Sequence, residues 1–169
     1  MANARIKCAE VVMKLAHPRY PQPEYDDKVL IVLGADTVVV RGDTILEKPK
    51  DAEDALAMLK QLQGRDHQVI TGMAISVGGS EDPVAIFEET TVSFAEMTDD
   101  VLKAYIETGE PFDKAGGYGI QAVGCLLVNA IQGNYQNVVG LPLAPLSKLI
   151  QAEMEKYLKA SAQGQQLPL

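Results

Sequence analysis

Apolar residues along the chain change period several times, and the changes outline its elements. Ile6, Ala9, Val12, Met13 and Ala16 recur at helical spacing with Arg5, Lys7 and Lys14 between them. This predicts an opening helix with no capping residue ahead of it. His17 to Asp27 holds Pro18, Pro21 and Pro23 and predicts a loop. Val29-Leu30-Ile31-Val32-Leu33 is a continuous apolar run, as expected of a strand buried on both faces. Thr37 to Val40 continues extended, Arg41-Gly42-Asp43 predicts a turn, and Thr44-Ile45-Leu46 can pair back across it.

Asp51 is placed to cap a second helix with Leu56, Leu59 and Leu62 on one face and Gly64 at its end. Val69 to Val77 predicts a strand, and Gly78 to Pro83 its turn. Val84 to Phe94 predicts another strand, with Thr90, Val92 and Phe94 alternating against Thr91 and Ser93. Thr98 or Asp99 can cap a third helix bearing Val101, Leu102, Tyr105 and Ile106, with Gly109 after it. Asp113 to Gln121 is a glycine-rich loop, and Gly124 to Val128 a short strand. Pro142 suits the first position of a last helix carrying Leu146, Leu149, Ile150, Met154 and Tyr157. The pattern is one α/β domain over residues 1–160, with a flexible tail over 161–169.

The net charge of -8 argues against nucleic acid as a partner, because polyanion binders offer a basic face. It leaves room for a small phosphate compound, held by a few local cations or a metal ion. Cys8 and Cys125 form no CxxC pair and predict small core residues. The longest apolar run, Val29 to Val40, is broken by Gly34, Asp36 and Thr37 and is too short to span a bilayer. No signal peptide is visible either, so the expectation is a cytosolic protein without membrane partners.

Asp36 is the first candidate for chemistry. It follows the apolar run directly, at the expected carboxyl end of a strand, where ligands of open α/β sheets bind. A carboxylate there can bind Mg²⁺ or take a proton from water. It can equally cap local backbone amides. Lys48 precedes Pro49, which biases it towards an extended conformation and lets it offer a point charge to phosphate. Lys114 is followed by Gly116, Gly117 and Gly119, whose freedom lets a backbone approach a ligand closely. That loop is not GxGxxG and precedes an expected strand, which disfavours a dinucleotide site. His17 and His67 lack partners at metal or nucleophile spacing and predict structural or exposed side chains. No serine has the G-x-S-x-G setting of a hydrolase triad.

Taken in order, several of these segments resemble the Maf family. They are Gly34-Ala35-Asp36-Thr37-Val38-Val39, Leu46-Glu47-Lys48-Pro49, Gly64 to Gly72, Gly109 to Gln121, and Asn137 to Pro142. The resemblance runs from about Ala4 to Leu149. It implies the inosine-triphosphatase-like α/β fold, with a mixed, curved sheet and flanking helices. It also implies a metal-dependent hydrolase, using Mg²⁺ or Mn²⁺, that splits a nucleoside triphosphate into the monophosphate and pyrophosphate, often as a homodimer. By the resemblance Asp36 is the proton acceptor and a metal ligand. Lys7, Lys48 and Lys114 match the family's substrate-binding lysines.

Thr37 and Gln121 stand at the positions that separate the family's branches. They are similar to the branch acting on dTTP and UTP rather than the one acting on 7-methyl-GTP. The chemistry agrees. A carboxylate only accepts hydrogen bonds and suits the adjacent donors of guanine, whereas an amide donates and accepts, matching the alternating edge of uracil or thymine. Gln132 and Asn134 stand where an acidic residue is common in the family, so no charge role is expected there. The family's opening strand and its S-x-S-P-R-R loop find no match in this sequence. The resemblance therefore implies an N-terminally shortened form lacking that strand and its arginines. The alternative reading is a catalytically weak nucleotide-binding or regulatory module. The segments around Glu88-Glu89-Thr90 and Asp113 to Gln121 are also similar to the form that some animals fuse to a methyltransferase-like domain. A purine-directed pyrophosphatase of the same fold is disfavoured by Thr37 and Gln121.

Overall fold

Period-two alternation, turn glycines and side-chain helix caps mark out the elements. They are α1 (Ala2–Ala16), β1 (Ile31–Arg41), β2 (Thr44–Leu46), α2 (Ala52–Leu62), β3 (Asp66–Val77), β4 (Val84–Phe94), α3 (Asp99–Glu107), β5 (Val128–Gln132), α4 (Tyr135–Val139) and α5 (Leu143–Ala162). The computed structural model describes residues 1–17, 19 and 29–163. Most of the expected proline loop, and residues 164–169 of the expected tail, lie outside the described residues. Ser161 and Ala162 of that tail belong to α5. The strands form one sheet in the order β2-β1-β3-β4-β5. At its ends β2 and β5 pair antiparallel with β1 and β4, with Val39 opposite Leu46 and Val92 opposite Ile131. This is the α/β class expected. Asp51 caps α2 as predicted, its Oδ1 accepting from the Asp54 amide at 2.9 Å.

Contacts divide the chain into two compact units. The first takes Met1–Asp36, Gly72–Phe87 and Leu143–Leu169. Its core is made of small residues: Ala4, Cys8 and Val12 of α1 pack with Val32 and Ala74. Gly34 explains the choice. A Cβ there would lie 2.3 Å from the Ala4 carbonyl oxygen and 2.8 Å from the Cys8 amide nitrogen. The backbones of α1 and β1 touch, and only small side chains fit between them. This corrects the expected face of α1: Val12 is buried, but Ile6 and Met13 are more than half exposed. It also corrects the strand expected to be buried on both faces. Ile31 and Leu33 are exposed while Val32 and Gly34 are buried, so this stretch of β1 alternates.

The second unit takes Thr37–Thr71 and Glu88–Pro142. Leu59 and Leu62 of α2 and Leu102, Tyr105 and Ile106 of α3 pack with Val39, Val69, Val92 and Phe94 in its larger core. The expected strand over Gly124 to Val128 is a 3-10 turn, Val123–Leu127, and β5 begins only at Val128. A short apolar run cannot separate the two states by periodicity. Here the chain must fold back, because Gly124 lies against the Gly119 carbonyl. Helix α4 was not expected; Asn134 caps it, its Oδ1 accepting from the Gln136 amide at 2.9 Å. Cys8 is buried as predicted, whereas Cys125 is exposed.

Candidate active site

Asp36 does not end its strand, as expected, but sits mid-way along β1, which runs on to Arg41. Among the described residues it caps no backbone amide. Its carboxylate is held by side chains of α1: Lys7 Nζ donates to Oδ1 at 2.5 Å and Asn3 Nδ2 to Oδ2 at 3.0 Å. Lys7 also reaches the Ala35 carbonyl at 3.5 Å. Burial alone would raise the Asp36 pKa. The hydrogen bonds from Lys7 and Asn3, with the charges of Lys7 and the amino terminus, outweigh it and hold the group below the ordinary carboxylate range. Asp36 is therefore ionised at neutral pH. The structure thus brings Lys7 and Asp36 together inside the first unit, and adds Asn3, which no motif had singled out.

Thr37 belongs to a separate cluster in the second unit. Its hydroxyl lies 2.9 Å from that of Thr71, and the Thr71 hydroxyl donates to the Asn137 carbonyl at 3.2 Å. A hydroxyl has one proton. Thr71 has given its proton to Asn137, so Thr37 must be the donor in the Thr37–Thr71 bond. What Thr37 keeps for another partner is its lone pairs. Asn137 is fully buried; its Nδ2 donates to the Val69 carbonyl at 2.8 Å and to Thr90 Oγ1 at 3.0 Å.

Lys48 and Lys114 lie on adjacent segments of the second unit. The Gly116 amide donates to the Glu47 carbonyl at 3.0 Å, which lays the glycine-rich loop along the Glu47-Lys48-Pro49 segment. Gly116 and Gly117 both have positive φ, 70° and 72°, and Gly116 is pressed against Val39. Lys114 Nζ donates to Asp113 Oδ1 at 2.7 Å. That hydrogen bond, together with the charges of Lys114 and Lys48, holds Asp113 below its usual range. Lys114 is thus the ion-pair partner of this exposed carboxylate, and Lys48 acts on it through its charge alone. Gln121 is exposed on the same loop.

His67 was expected to be structural or exposed, and it is fully buried. Its Nε2 lies 2.7 Å from the Tyr118 hydroxyl, and both rings pack edge-on against Phe94. Burial pushes the His67 pKa down to about 4, against the opposing pull of Asp66, so the ring is neutral. A partner for a lone histidine, 51 residues away in sequence, leaves no spacing signal to read. Among the described residues no three His, Cys, Asp or Glu side chains cluster to cage a metal. Mg²⁺ does not require a cage; it keeps waters and binds through one or two carboxylates plus substrate phosphates. Asp36 is a donor of that kind, with both oxygens already taken up by Lys7 and Asn3.

A protein-family model described as Maf-like protein matches residues 1–153. The chain belongs to the Maf family. The dTTP/UTP pyrophosphatase of Ruminiclostridium cellulolyticum is 47% identical over 129 residues, 76% of this chain and 67% of that protein. The dTTP/UTP pyrophosphatase of Acetivibrio thermocellus is 47% identical over 144 residues, 85% of this chain and 69% of its own length. A human protein named "Probable bifunctional dTTP/UTP pyrophosphatase/methyltransferase protein" is 40% identical over 178 residues. That match covers 99% of this chain but only 28% of the human protein. The Maf assignment carries the fold with it. No helix among the described residues is long and apolar enough to cross a membrane.

Proposed function

We propose that this Maf protein hydrolyses dTTP and UTP to the monophosphate and pyrophosphate in the cytosol. The observation that carries the reading is the Maf match over residues 1–153, with similar proteins that bear this activity in their names. Asp36 takes a proton from the attacking water. Its pairing with Lys7 keeps it ionised but also makes it a weaker base. If Lys7 turns towards a phosphate oxygen, Asp36 loses its strongest donor and its basicity rises. Asp36 would also supply the protein carboxylate for Mg²⁺ or Mn²⁺. Such an ion, when bound, neutralises triphosphate charge.

Lys48 and Lys114 supply point charges for phosphate oxygens, Lys114 leaving Asp113 when the more highly charged triphosphate arrives. Thr37 and Gln121 read the base. With its proton committed to Thr71, the Thr37 hydroxyl accepts, which suits the ring N–H of uracil or thymine. The Gln121 amide donates and accepts, which suits the carbonyl and N–H that alternate along the same edge. Homodimerisation remains part of this proposal through the family resemblance alone. Phosphorus NMR of a dTTP digest with Mg²⁺ tests the reaction. The expected products are dTMP and pyrophosphate; dTDP with inorganic phosphate would refute the assignment.

A further inference from the structure

The loop that carries Lys114 and Gln121 is closed on itself by one side chain outside it. Glu110 sends its Oε2 to the Val123 amide at 2.9 Å and its Oε1 to the Gly124 amide at 3.2 Å. The Gly119 amide, midway round the loop, donates to the Tyr105 hydroxyl at 3.2 Å. Burial pushes the Tyr105 hydroxyl far above its ordinary range, and Glu110 adds to that shift against the bond from Gly119. Two glycines make the closure possible. A Cβ on Gly124 would lie 2.5 Å from the Gly119 carbonyl oxygen and 2.7 Å from the Tyr105 hydroxyl. A Cβ on Gly119 would lie 2.5 Å from Lys114 Cε and 3.0 Å from Glu110 Oε1. The Lys114 stem therefore lies across Gly119, next to Glu110. Gln121 is strung between two tied points, Gly119 and Val123.

We infer that Glu110 is a positioning residue, setting the place of Lys114 and Gln121 by tying the amides of Val123 and Gly124. The inference rests on the proposed function for what the loop does, but not for how it is held. A carboxylate accepting two amides is a charge-assisted arrangement that a neutral side chain cannot reproduce in full. Glu110 makes no contact with substrate in this account and acts only through the loop. Once untied, the loop should still carry its lysine and glutamine, but no longer in one geometry. Substrate binding then has to order it, and base discrimination weakens.

The test compares wild type with Glu110→Ala and Glu110→Gln, reading amide hydrogen exchange and turnover of dTTP and dCTP. In Glu110→Ala, exchange of the Val123 and Gly124 amides should rise about tenfold or more while amides of β3 keep their rates. The ratio of kcat/KM for dTTP to that for dCTP should fall about tenfold. Glu110→Gln retains one acceptor and should be intermediate in both. Faster exchange with an unchanged ratio would overturn the positioning role, and so would unchanged exchange. Protection lost throughout β3 would mean that Glu110 supports the fold as a whole, which also overturns it. If wild type turns over neither nucleotide, the proposed function fails separately. Affinity for dTMP then decides the inference: weakening of about tenfold in Glu110→Ala supports it, and equal affinity overturns it.

Discussion

The Asp36 cluster and the Lys114 loop hold their functional side chains in opposite ways. Asp36 stands on a regular strand against a regular helix, and what fixes it is a pair of exchangeable side-chain donors, Lys7 and Asn3. Lys7 is more than half exposed, so its bond to Asp36 can be traded for a phosphate at little cost. Lys114 and Gln121 stand on irregular backbone. That backbone is fixed by groups that cannot be traded: a buried tyrosine, a doubly engaged Glu110 and glycines with no room for a Cβ. The first arrangement suits a group that must change partners during a reaction. The second suits groups that must already be in place when substrate arrives.

The largest effect should come from breaking the exchangeable side. Asp36→Asn keeps the shape but removes the base, and kcat/KM for dTTP should fall ~100- to 10,000-fold. Thermal unfolding should change little, since Lys7 is left in solvent. Near-normal turnover by the folded variant would return Asp36 to a structural role.

The scaffold under that side comes next. Gly34→Ala drives a methyl into the backbone of α1 and should cost about 1–3 kcal/mol or more, read by urea unfolding. An unchanged midpoint would show that α1 is not seated on β1 as described.

On the tied side, His67 gives a pH signature. Its pKa is about 4 in the folded chain against an ordinary 6.5. Above pH 6.5 both folded and unfolded forms are neutral and nothing is lost. As pH falls from 6.5 towards 4 the unfolded chain takes up the proton first. Stability should then drop by ~3 kcal/mol over that window. The His67→Phe variant should lack this part of the acid loss. An identical pH slope in both proteins would contradict the neutral, buried histidine.

A smaller effect should sharpen the contrast. Lys7→Met removes the donor that keeps Asp36 low, so the acid limb of kcat/KM should move to higher pH. A limb that stays in place would mean that the Lys7 contact does not set Asp36's basicity.

The two regions also differed in how far their sequence could be read. Strands β3 and β4, the cap of α2 and the hairpin at Gly42 follow from alternation, an aspartate and a turn glycine, all local signals. The face of α1 was misread because Ile6 and Met13 carry the strongest apolar signal, while backbone contact at Gly34 selects Ala4 and Cys8 instead. Asp36, Lys48 and Lys114 were visible as motif residues. The contacts made by Asn3, Thr71, His67, Glu110 and Tyr105 were not, because spacing does not encode them. The turn at Val123–Leu127 was missed for the same reason, being made by Glu110 and a close approach of two glycines rather than by any apolar period.

One set of rates reads both the reaction and its base preference. kcat/KM should be measured for dTTP, UTP, dGTP, ATP and 7-methyl-GTP, with Mg²⁺ or Mn²⁺ present and pyrophosphate as the detected product. dTTP and UTP should lead. Discrimination of about 10-fold or more is expected, because guanine puts an amino donor where uracil and thymine put the O2 carbonyl, and adenine puts an acceptor where they have the ring N–H. A clear preference for a guanine nucleotide would contradict the account.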